Sequence, residues 1–238
     1  MSSLFQERMG NVVLLTLNRP EVRNAIDEDL ARGFAAAVRQ ALGEASAVCL
    51  RGAGPVFCSG GDLASLADDD DRALAVMALM RNTLSLLRQA PVPVIAYVEG
   101  LAVGGGAEIA ALAHLVCATP GAAFQFLQAK VGLSPGWGGG AALAQRVGQG
   151  RALDLLLTAR RIGVAEARSL GLVDRVLIPA DLPAYLQQPA FQDRRLAGAI
   201  VASLRQDPDG PEKARREFER LWRGAGHRDS VARFLGGK

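Results

Sequence analysis

Short apolar segments alternate with longer stretches of helical periodicity through the first half of the chain. β-Branched and other apolar residues fill 11–17, 47–50 and 92–98, and turn-forming residues follow the first of these runs. Between them, apolar residues recur at helical spacing after Asp27, which has the position of an N-cap, and residues 72–89 also read as a helix. Because parallel strands need such helical crossovers, the pattern predicts an α/β fold.

The pattern changes in the second half of the chain. A further helix is predicted over 106–115, and beyond Pro135 the sequence is mostly helical apart from a short strand near 172–177. We therefore predict an α/β core over residues 1–190 and a helical C-terminal appendage over residues 191–238.

The composition is that of a globular protein without disulfide cross-links. The 238 residues are 50% hydrophobic and 21% charged, which excludes a disordered, collagen-like or coiled-coil chain. Cys49, Cys58 and Cys117 are odd in number and lie in apolar runs, so a reducing compartment is favoured. The most apolar stretch, 91–118, contains four glycines and charged residues that a membrane span would not tolerate. With no signal peptide visible at the start, we expect a soluble cytoplasmic protein with no membrane partner.

Positive charge is concentrated at the C-terminal end. The whole chain has 27 basic and 24 acidic residues, for a net charge of +3. Residues 191–238 hold 11 basic and 7 acidic residues, and therefore carry +4. Such a segment forms either a solvated helical face or a site for an anion, such as a phosphate or a nucleic acid. The interleaved Glu217 and Glu219 disfavour a nucleic-acid partner.

Three glycine clusters stand out, over 52–62, 100–108 and 132–140. They predict either tight turns, which glycine permits, or a site built from backbone amides. The first cluster lacks the third glycine of a dinucleotide-binding motif, and no P-loop motif is present. The third contains a GxSxG match, but Pro135 follows its serine and has no N–H for an oxyanion hole.

The second glycine cluster is the best candidate for chemistry. Gly104–Gly106 end a strand and begin an apolar helix, whose first amides can stabilise an anion. One more amide from the loop 58–61 would complete an oxyanion hole. Glu108 follows in the first helical turn, either as a surface carboxylate that compensates the helix dipole or as a member of the site.

Other titratable residues have simpler explanations. His114 and His227 are far apart in sequence, and we predict no metal site. His114, in an apolar segment, is expected to be a core or helix-end histidine. The acidic run Asp68–Asp71 is expected to cap the helix that follows.

Five motifs in order resemble those of the enoyl-CoA hydratase/isomerase (crotonase) superfamily. They are NRPEVRNA at 18–25, FCSGGD at 57–62, GLAVGGGAE at 100–108, PGWGG at 135–139 and AEARSLGLV at 165–173. The resemblance covers nearly the whole chain and implies a crotonase-like spiral of ββα units with C-terminal helices. It also implies a homotrimer or a dimer of trimers, an acyl-CoA substrate, and no cofactor other than the CoA of that substrate.

The resemblance also implies roles for individual residues. The backbone amides of Ser59 and Gly105 would hold the thioester oxygen as an enolate forms, and the Arg23 guanidinium would pair with CoA phosphate or adenine. The basic C-terminal helices would complete the CoA site. The remaining positions expected to contact substrate or CoA are Ala25, Gly60, Gly61, Asp62 and Trp137.

One departure from the superfamily pattern bears on the reaction. Its hydratases use two carboxylates; Glu108 matches the first, but the second position holds Gln128. An amide cannot accept and return a proton near neutral pH, so two-carboxylate hydration and simple isomerisation are disfavoured. Decarboxylation of a malonyl-type thioester needs only an oxyanion hole, a desolvating pocket and a later proton source. A neutral Gln128 also repels a substrate carboxylate less than a glutamate would.

Three functions therefore remain open from the sequence. The tryptophan of PGWGG and the late LWRGAGH segment resemble the methylmalonyl-CoA and ethylmalonyl-CoA decarboxylases of the superfamily, and decarboxylation is slightly favoured. Hydration of an enoyl-CoA by Glu108 alone is the alternative. The third is a crotonase-like protein that binds CoA or RNA without catalysis. The chain also ends at RFLGGK, without the longer C-terminal ending found in the superfamily.

Overall fold

The computed structural model describes residues 2–204 and 210–222, and within α11 the side chains of 215, 216 and 218–222. Expectations for 205–209 and 223–238, including His227 and the C-terminal ending, lie outside the described residues. The strands are β1 (Leu4–Met9), β2 (Val12–Leu17), β3 (Ala47–Gly52), β4 (Val56–Cys58), β5 (Val94–Val98), β6 (Leu101–Val103), β7 (Leu115–Ala118), β8 (Ala123–Gln125), β9 (Ile162–Gly163) and β10 (Arg175–Val176).

Helices follow most of these strands and form the C-terminal part of the described chain. The α-helices are α1 (Glu28–Glu44), α2 (Leu63–Leu66), α3 (Asp70–Arg88), α4 (Gly105–Leu112), α5 (Gly139–Val147), α6 (Gln149–Thr158), α7 (Val164–Leu170), α8 (Leu182–Leu186), α9 (Pro189–Gln192), α10 (Arg194–Ser203) and α11 (Gly210–Trp222). Short 3₁₀ turns lie at Pro20–Val22, Gln128–Val131 and Pro179–Asp181.

The strands form two sheets, and the chain passes repeatedly from one to the other. The first sheet has the order β1-β2-β3-β5-β7-β10, and the second has the order β4-β6-β8-β9. All pairings are parallel except β1 with β2 and β8 with β9. Strands β3 and β4, then β5 and β6, then β7 and β8 each leave one sheet for the other before a helix follows. This winding confirms the predicted spiral of ββα units.

The first sheet is covered on both faces, which explains why β2 is apolar at every position except Thr16. Val13 and Leu15 face the main core, which includes Phe34 of α1. Val12 and Leu14 belong to a second cluster that Leu182 and Leu186 of α8 cover on the opposite face. A strand buried on both faces loses the alternation of polar and apolar residues.

Two helices begin where the sequence indicates. The Asp27 side chain accepts a hydrogen bond from the Leu30 N–H and caps α1. Asp69, within the acidic run, accepts from the Arg72 N–H and caps α3, as predicted. Both caps satisfy amides that a helix leaves unpaired in its first turn.

The predicted helix over 106–115 is wrong at its C-terminal end. Helix α4 stops at Leu112, and Leu115–Ala118 form strand β7 between β5 and β10. A continuous apolar run fits a buried helix or a buried strand equally well, and only the neighbouring strands decide between them. The short strands β4, β6, β8 and β9 were not predicted, because two or three residues carry no detectable period.

Candidate active site

The loop after β4 and the start of α4 are in backbone contact. Strands β4 and β6 are neighbours in the second sheet, and their ends bring these two segments together. A Cβ atom on Gly106 would lie 2.1 Å from the Cys58 carbonyl oxygen, and one on Gly60 would lie 2.8 Å from the Gly105 nitrogen. These approaches require glycine, so the glycine clusters are more than turns.

Ser59 does not have the role that the sequence analysis assigned to it. Its N–H donates to the Arg23 carbonyl oxygen at 3.0 Å. The Ser59 amide is therefore already engaged between two loops, and the prediction that it serves an oxyanion hole is wrong. Sequence position alone could not show which amide of this loop is turned toward the protein.

Two other amides remain as candidate donors. The backbone at Ile26 pairs with the backbone around Gly61: the Ile26 N–H donates to the Gly60 carbonyl oxygen at 2.8 Å, and the Asp62 N–H donates to the Ile26 carbonyl oxygen at 2.9 Å. The Gly61 N–H takes no part in this pairing. The Gly105 N–H is the first of α4, where no helical carbonyl is available to accept it.

Glu108 is buried one helical turn after Gly105. Its side chain is 2% exposed, which excludes the surface position considered from the sequence. One carboxylate oxygen accepts from Gln128 Nε2 at 2.7 Å. The other accepts from the backbone N–H groups of Trp137 at 3.0 Å and Gly139 at 2.8 Å. All of these partners are neutral.

This environment shifts the protonation equilibrium of Glu108 toward the protonated acid. Burial raises the pKa of the carboxyl above its ordinary value of 4.5 and is the largest influence on it. Hydrogen bonds from Gly139, Trp137 and Gln128 act in the opposite direction. The group can therefore hold and release a proton closer to neutral pH than an exposed glutamate can.

Gln128 stands beside Glu108, at the start of the 3₁₀ turn Gln128–Val131. Its side chain is 9% exposed, and its Nε2 atom makes the contact with Glu108. Its Oε1 atom is buried and has no hydrogen-bond partner. The structure thus brings together the carboxylate and the amide that the sequence analysis singled out.

The Trp137 indole forms a wall next to the candidate amides. The ring packs against Gly105 so closely that a Cβ atom there would lie 2.2 Å from it, and it lies 3.9 Å from a Cβ position on Gly61. Its Nε1–H donates to the Met77 sulfur at 2.9 Å. Met77 was not predicted, because an apolar residue of α3 has no sequence signal for a site.

Arg19 holds the glycine loop in place. Its guanidinium pairs with Asp62 and Asp27 at 3.0 Å each and donates to the Ala25 carbonyl oxygen at 2.7 Å. Asp62 and Ala25 therefore support the loop, and their contact with substrate stays a prediction. Arg19 lies in the NRPEVRNA motif, which was the available signal for it, but no role was predicted.

Arg23 and Asn24 follow in the same motif, both with positive φ. The Arg23 side chain is exposed beside the loop, and its role toward CoA stays a prediction. Asn24 is fully buried, and its side-chain amide donates to the carbonyl oxygens of Ala53 and Val56.

Residues away from the site have structural roles. His114, just after the end of α4, accepts from the Val94 N–H at 3.1 Å, and its Nε2 lies 3.0 Å from the Arg88 carbonyl oxygen, so the expectation of a core or helix-end histidine is confirmed. The three cysteines are buried and unbridged. None of the helices in 2–204 and 210–222 combines the length and apolar character that a membrane span requires.

Two sheets wound from ββα units, with a glycine-lined site at the ends of β4 and β6, define the crotonase class of fold. The chain matches the enoyl-CoA hydratase/isomerase family over residues 7–206 and belongs to that family.

Relatives and solved structures agree with this assignment. A probable enoyl-CoA hydratase of Rhodobacter capsulatus is 35% identical over 82% of this chain and 76% of its own length. An ethylmalonyl-CoA decarboxylase of Xenopus tropicalis is 30% identical over 76% of this chain and 65% of its own length. The crystal structure of an enoyl-CoA hydratase from Bacillus anthracis superposes with a TM-score of 0.87, at 25% identity, over 100% of this chain and 97% of that one.

Proposed function

We propose that this enzyme decarboxylates a short malonyl-type acyl-CoA. One observation carries the proposal: the Glu108 carboxyl is hydrogen-bonded directly to the neutral Gln128 amide at 2.7 Å. Glu108 is the single titratable group of this pair, whereas hydration by the two-carboxylate route needs two titratable carboxyl groups. Loss of CO₂ needs no base, so one protonatable carboxyl is sufficient.

In the proposed reaction the thioester oxygen binds between the N–H groups of Gly61 and Gly105. The bond between the α-carbon and the carboxylate breaks, CO₂ departs, and the electron pair forms an enolate that these amides stabilise. Protonated Glu108 then gives its proton to the α-carbon. Water re-protonates Glu108, so each turnover consumes one proton and yields one CO₂ and one acyl-CoA.

The walls of the site support a short acyl group. The Trp137 indole and the Met77 side chain occupy the space next to Gly61 and Gly105. An apolar wall of this kind also desolvates a carboxylate before it leaves. The name of the Xenopus relative, ethylmalonyl-CoA decarboxylase, is consistent with a small branched substrate.

Hydration of an enoyl-CoA with Glu108 alone is the second candidate. Its support is that relatives such as the Rhodobacter protein are named probable enoyl-CoA hydratases. Both oxygens of Glu108 already accept hydrogen bonds from the protein, so an attacking water would have to compete for them.

Two assays separate the candidates. We expect CO₂ release from methylmalonyl-CoA or ethylmalonyl-CoA and little loss of the enoyl absorbance of crotonyl-CoA. Brisk hydration of crotonyl-CoA without CO₂ release would refute the proposal. Glu108→Gln should slow turnover of the malonyl-type substrate at the protonation step, whereas in a hydratase it should abolish water addition.

We further propose that the enzyme acts in the cytoplasm as a trimer or a dimer of trimers. The acyl-CoA is then its partner and CoA its only carrier group. Arg23 is exposed beside the glycine loop, where it can meet CoA phosphates.

A further inference from the structure

The unpaired Oε1 atom of Gln128 is the least expected feature of the site. It is buried, and no hydrogen bond reaches it. A buried acceptor without a donor is costly, and such atoms are rare in folded proteins. The neighbouring Nε2, by contrast, donates a hydrogen bond to Glu108 at 2.7 Å.

The charge of Glu108 determines this arrangement. An ionised carboxylate can only accept hydrogen bonds, so the Gln128 amide must turn its NH₂ toward it and its oxygen away. A protonated carboxyl can donate. The Gln128 oxygen can then face Glu108. A rotation of the Gln128 amide by half a turn exchanges the positions of Oε1 and Nε2, and the side chain keeps almost the same shape.

We propose that the Gln128 amide turns over with the protonation of Glu108 and thereby recognises the substrate carboxylate. With Glu108 ionised, the Gln128 amide turns its oxygen away from Glu108. That oxygen repels the carboxylate of a substrate. With Glu108 protonated, the carboxyl O–H donates to the Gln128 oxygen, and the NH₂ presents a donor there. The inference rests on the proposed function and adds the residue that selects malonyl-type substrates.

Charged neighbours do not provide an alternative trigger. The strongest influences on the Glu108 pKa are burial and hydrogen bonds from neutral groups. Three titratable side chains on the elements packed around the pair hydrogen-bond to backbone carbonyl groups instead of to Glu108 or Gln128. Cys58 donates to the Asn24 carbonyl oxygen, Arg81 to the Gly136 carbonyl oxygen, and Arg146 to carbonyl oxygens near the end of α4. Lys130 is exposed on the same 3₁₀ turn as Gln128.

Proton uptake on ligand binding follows from this coupling. A carboxylate ligand stabilises the turned amide, which requires protonated Glu108, so binding at a pH above the Glu108 pKa takes a proton from solution. An uncharged ligand has no such preference.

Two matched thioethers test the coupling without turnover. Carboxyethyl-CoA carries the substrate carboxylate but no thioester carbonyl, so it cannot lose CO₂, and propyl-CoA lacks the charge. Calorimetry at a series of pH values, in two buffers of different ionisation enthalpy, should show uptake that approaches one proton for carboxyethyl-CoA above the Glu108 pKa and none for propyl-CoA at any pH. Gln128→Met should weaken carboxyethyl-CoA binding about 10- to 100-fold, the effect of losing a hydrogen bond to a charged group, and leave propyl-CoA binding unchanged. Lys130→Met, on the same turn, should change neither.

The outcomes separate this inference from the proposed function. CO₂ release by the wild type without proton uptake on carboxyethyl-CoA binding would overturn the role of Gln128 and leave the decarboxylase intact. Proton uptake without CO₂ release would overturn the decarboxylase and leave carboxylate recognition intact. Equal weakening of both thioethers in Gln128→Met would show a merely structural role and overturn the inference.

Discussion

The Glu108 carboxyl is almost excluded from water, and its hydrogen-bond partners are the neutral groups of Gln128, Trp137 and Gly139. Burial outweighs these bonds and raises its pKa. An ionised carboxylate in such surroundings costs folding free energy, whereas the protonated acid costs much less. The residue best placed to supply a proton is therefore also a source of instability at high pH.

We expect the free energy of unfolding to fall as pH rises from 4.5, the ordinary pKa of Glu108, through its raised pKa in the folded state. The folded protein binds this proton more tightly than the unfolded chain, so its stabilisation is complete below the lower pKa and lost above the higher one. Urea denaturation at a series of pH values measures this change. Glu108→Gln cannot ionise and should remove it; the same pH profile in both proteins would contradict the raised pKa.

Gly61 tests the assignment of the oxyanion amide. Gly61→Pro removes the N–H and should reduce turnover about 100- to 1000-fold. Gly61→Ala keeps the N–H, and its Cβ would meet the flexible Met77 terminal methyl at 3.2 Å and the Trp137 ring at an ordinary 3.9 Å, so activity should largely remain. Ser59→Ala removes a hydroxyl group and should be nearly silent. Circular dichroism confirms folding, and equal losses in Gly61→Ala and Gly61→Pro would show that the amide is not the cause.

Trp137 tests the limit on acyl size. Trp137→Ala should raise kcat/KM for longer alkylmalonyl-CoA esters relative to ethylmalonyl-CoA, because the indole no longer fills the space beside Gly105. The vacated volume should also lower the free energy of unfolding by about 3–5 kcal/mol. Trp137→Phe retains most of the wall and serves as the control. An unchanged preference in Trp137→Ala would place the acyl group elsewhere.

At the scale of elements, α4 links the site to the packing of the core. Its N-terminal end carries Gly105 and Glu108, and its C-terminal end is fixed by Arg146 of α5. The Arg146 guanidinium donates to the carbonyl oxygens of Ala111 and His114 at 3.0 and 3.1 Å and pairs with Asp174 at 3.0 Å. A helix end needs such donors, because its last carbonyl groups have no partner in the helix.

Arg146→Ala should lower the free energy of unfolding by about 2–3 kcal/mol, because it leaves several largely buried carbonyl groups without a donor. Arg146→Lys keeps the charge but cannot bridge the same acceptors, and it should lose a large part of that stability. Urea denaturation measures both. A loss below about 0.5 kcal/mol in Arg146→Ala would match an ordinary surface substitution and contradict this role.

At the scale of the whole molecule, the net charge of +3 is unevenly distributed, because residues 191–238 alone carry +4. CoA carries several phosphate charges, and an exposed arginine beside the glycine loop is suited to meet one of them. That contact is the same in the ground state and the transition state, so it should affect substrate affinity rather than turnover.

Arg23→Ala is therefore expected to raise KM and to leave kcat nearly unchanged. Steady-state kinetics at two salt concentrations measures this, and the salt dependence of KM should weaken in the variant. Arg32→Ala is the matched control, since Arg32 is an exposed arginine of α1 that pairs with Glu28. A fall in kcat at constant KM would show that Arg23 has been misassigned.

Much of the architecture follows from local patterns in the sequence. The N-cap at Asp27, the apolar period of α1 and the buried run of β2 depend on neighbouring residues, and the structure reproduces them. The motif order indicated the ββα spiral, and the pairing of Glu108 with Gln128 was suggested by motif position. These features are local or are repeated across the family.

Other features depend on contacts between distant segments, which no local pattern records. Leu115–Ala118 became a strand because β5 and β10 flank it. The Ser59 N–H donates to the Arg23 carbonyl oxygen, so Gly61 is the candidate donor in this loop. Met77 belongs to the site because its sulfur accepts a hydrogen bond from the Trp137 indole. The sequence by itself therefore determined the fold class and the pairing of Glu108 with Gln128. Only the tertiary structure decided which amides remain free and how strongly Glu108 is buried, because both depend on what the rest of the chain packs against them.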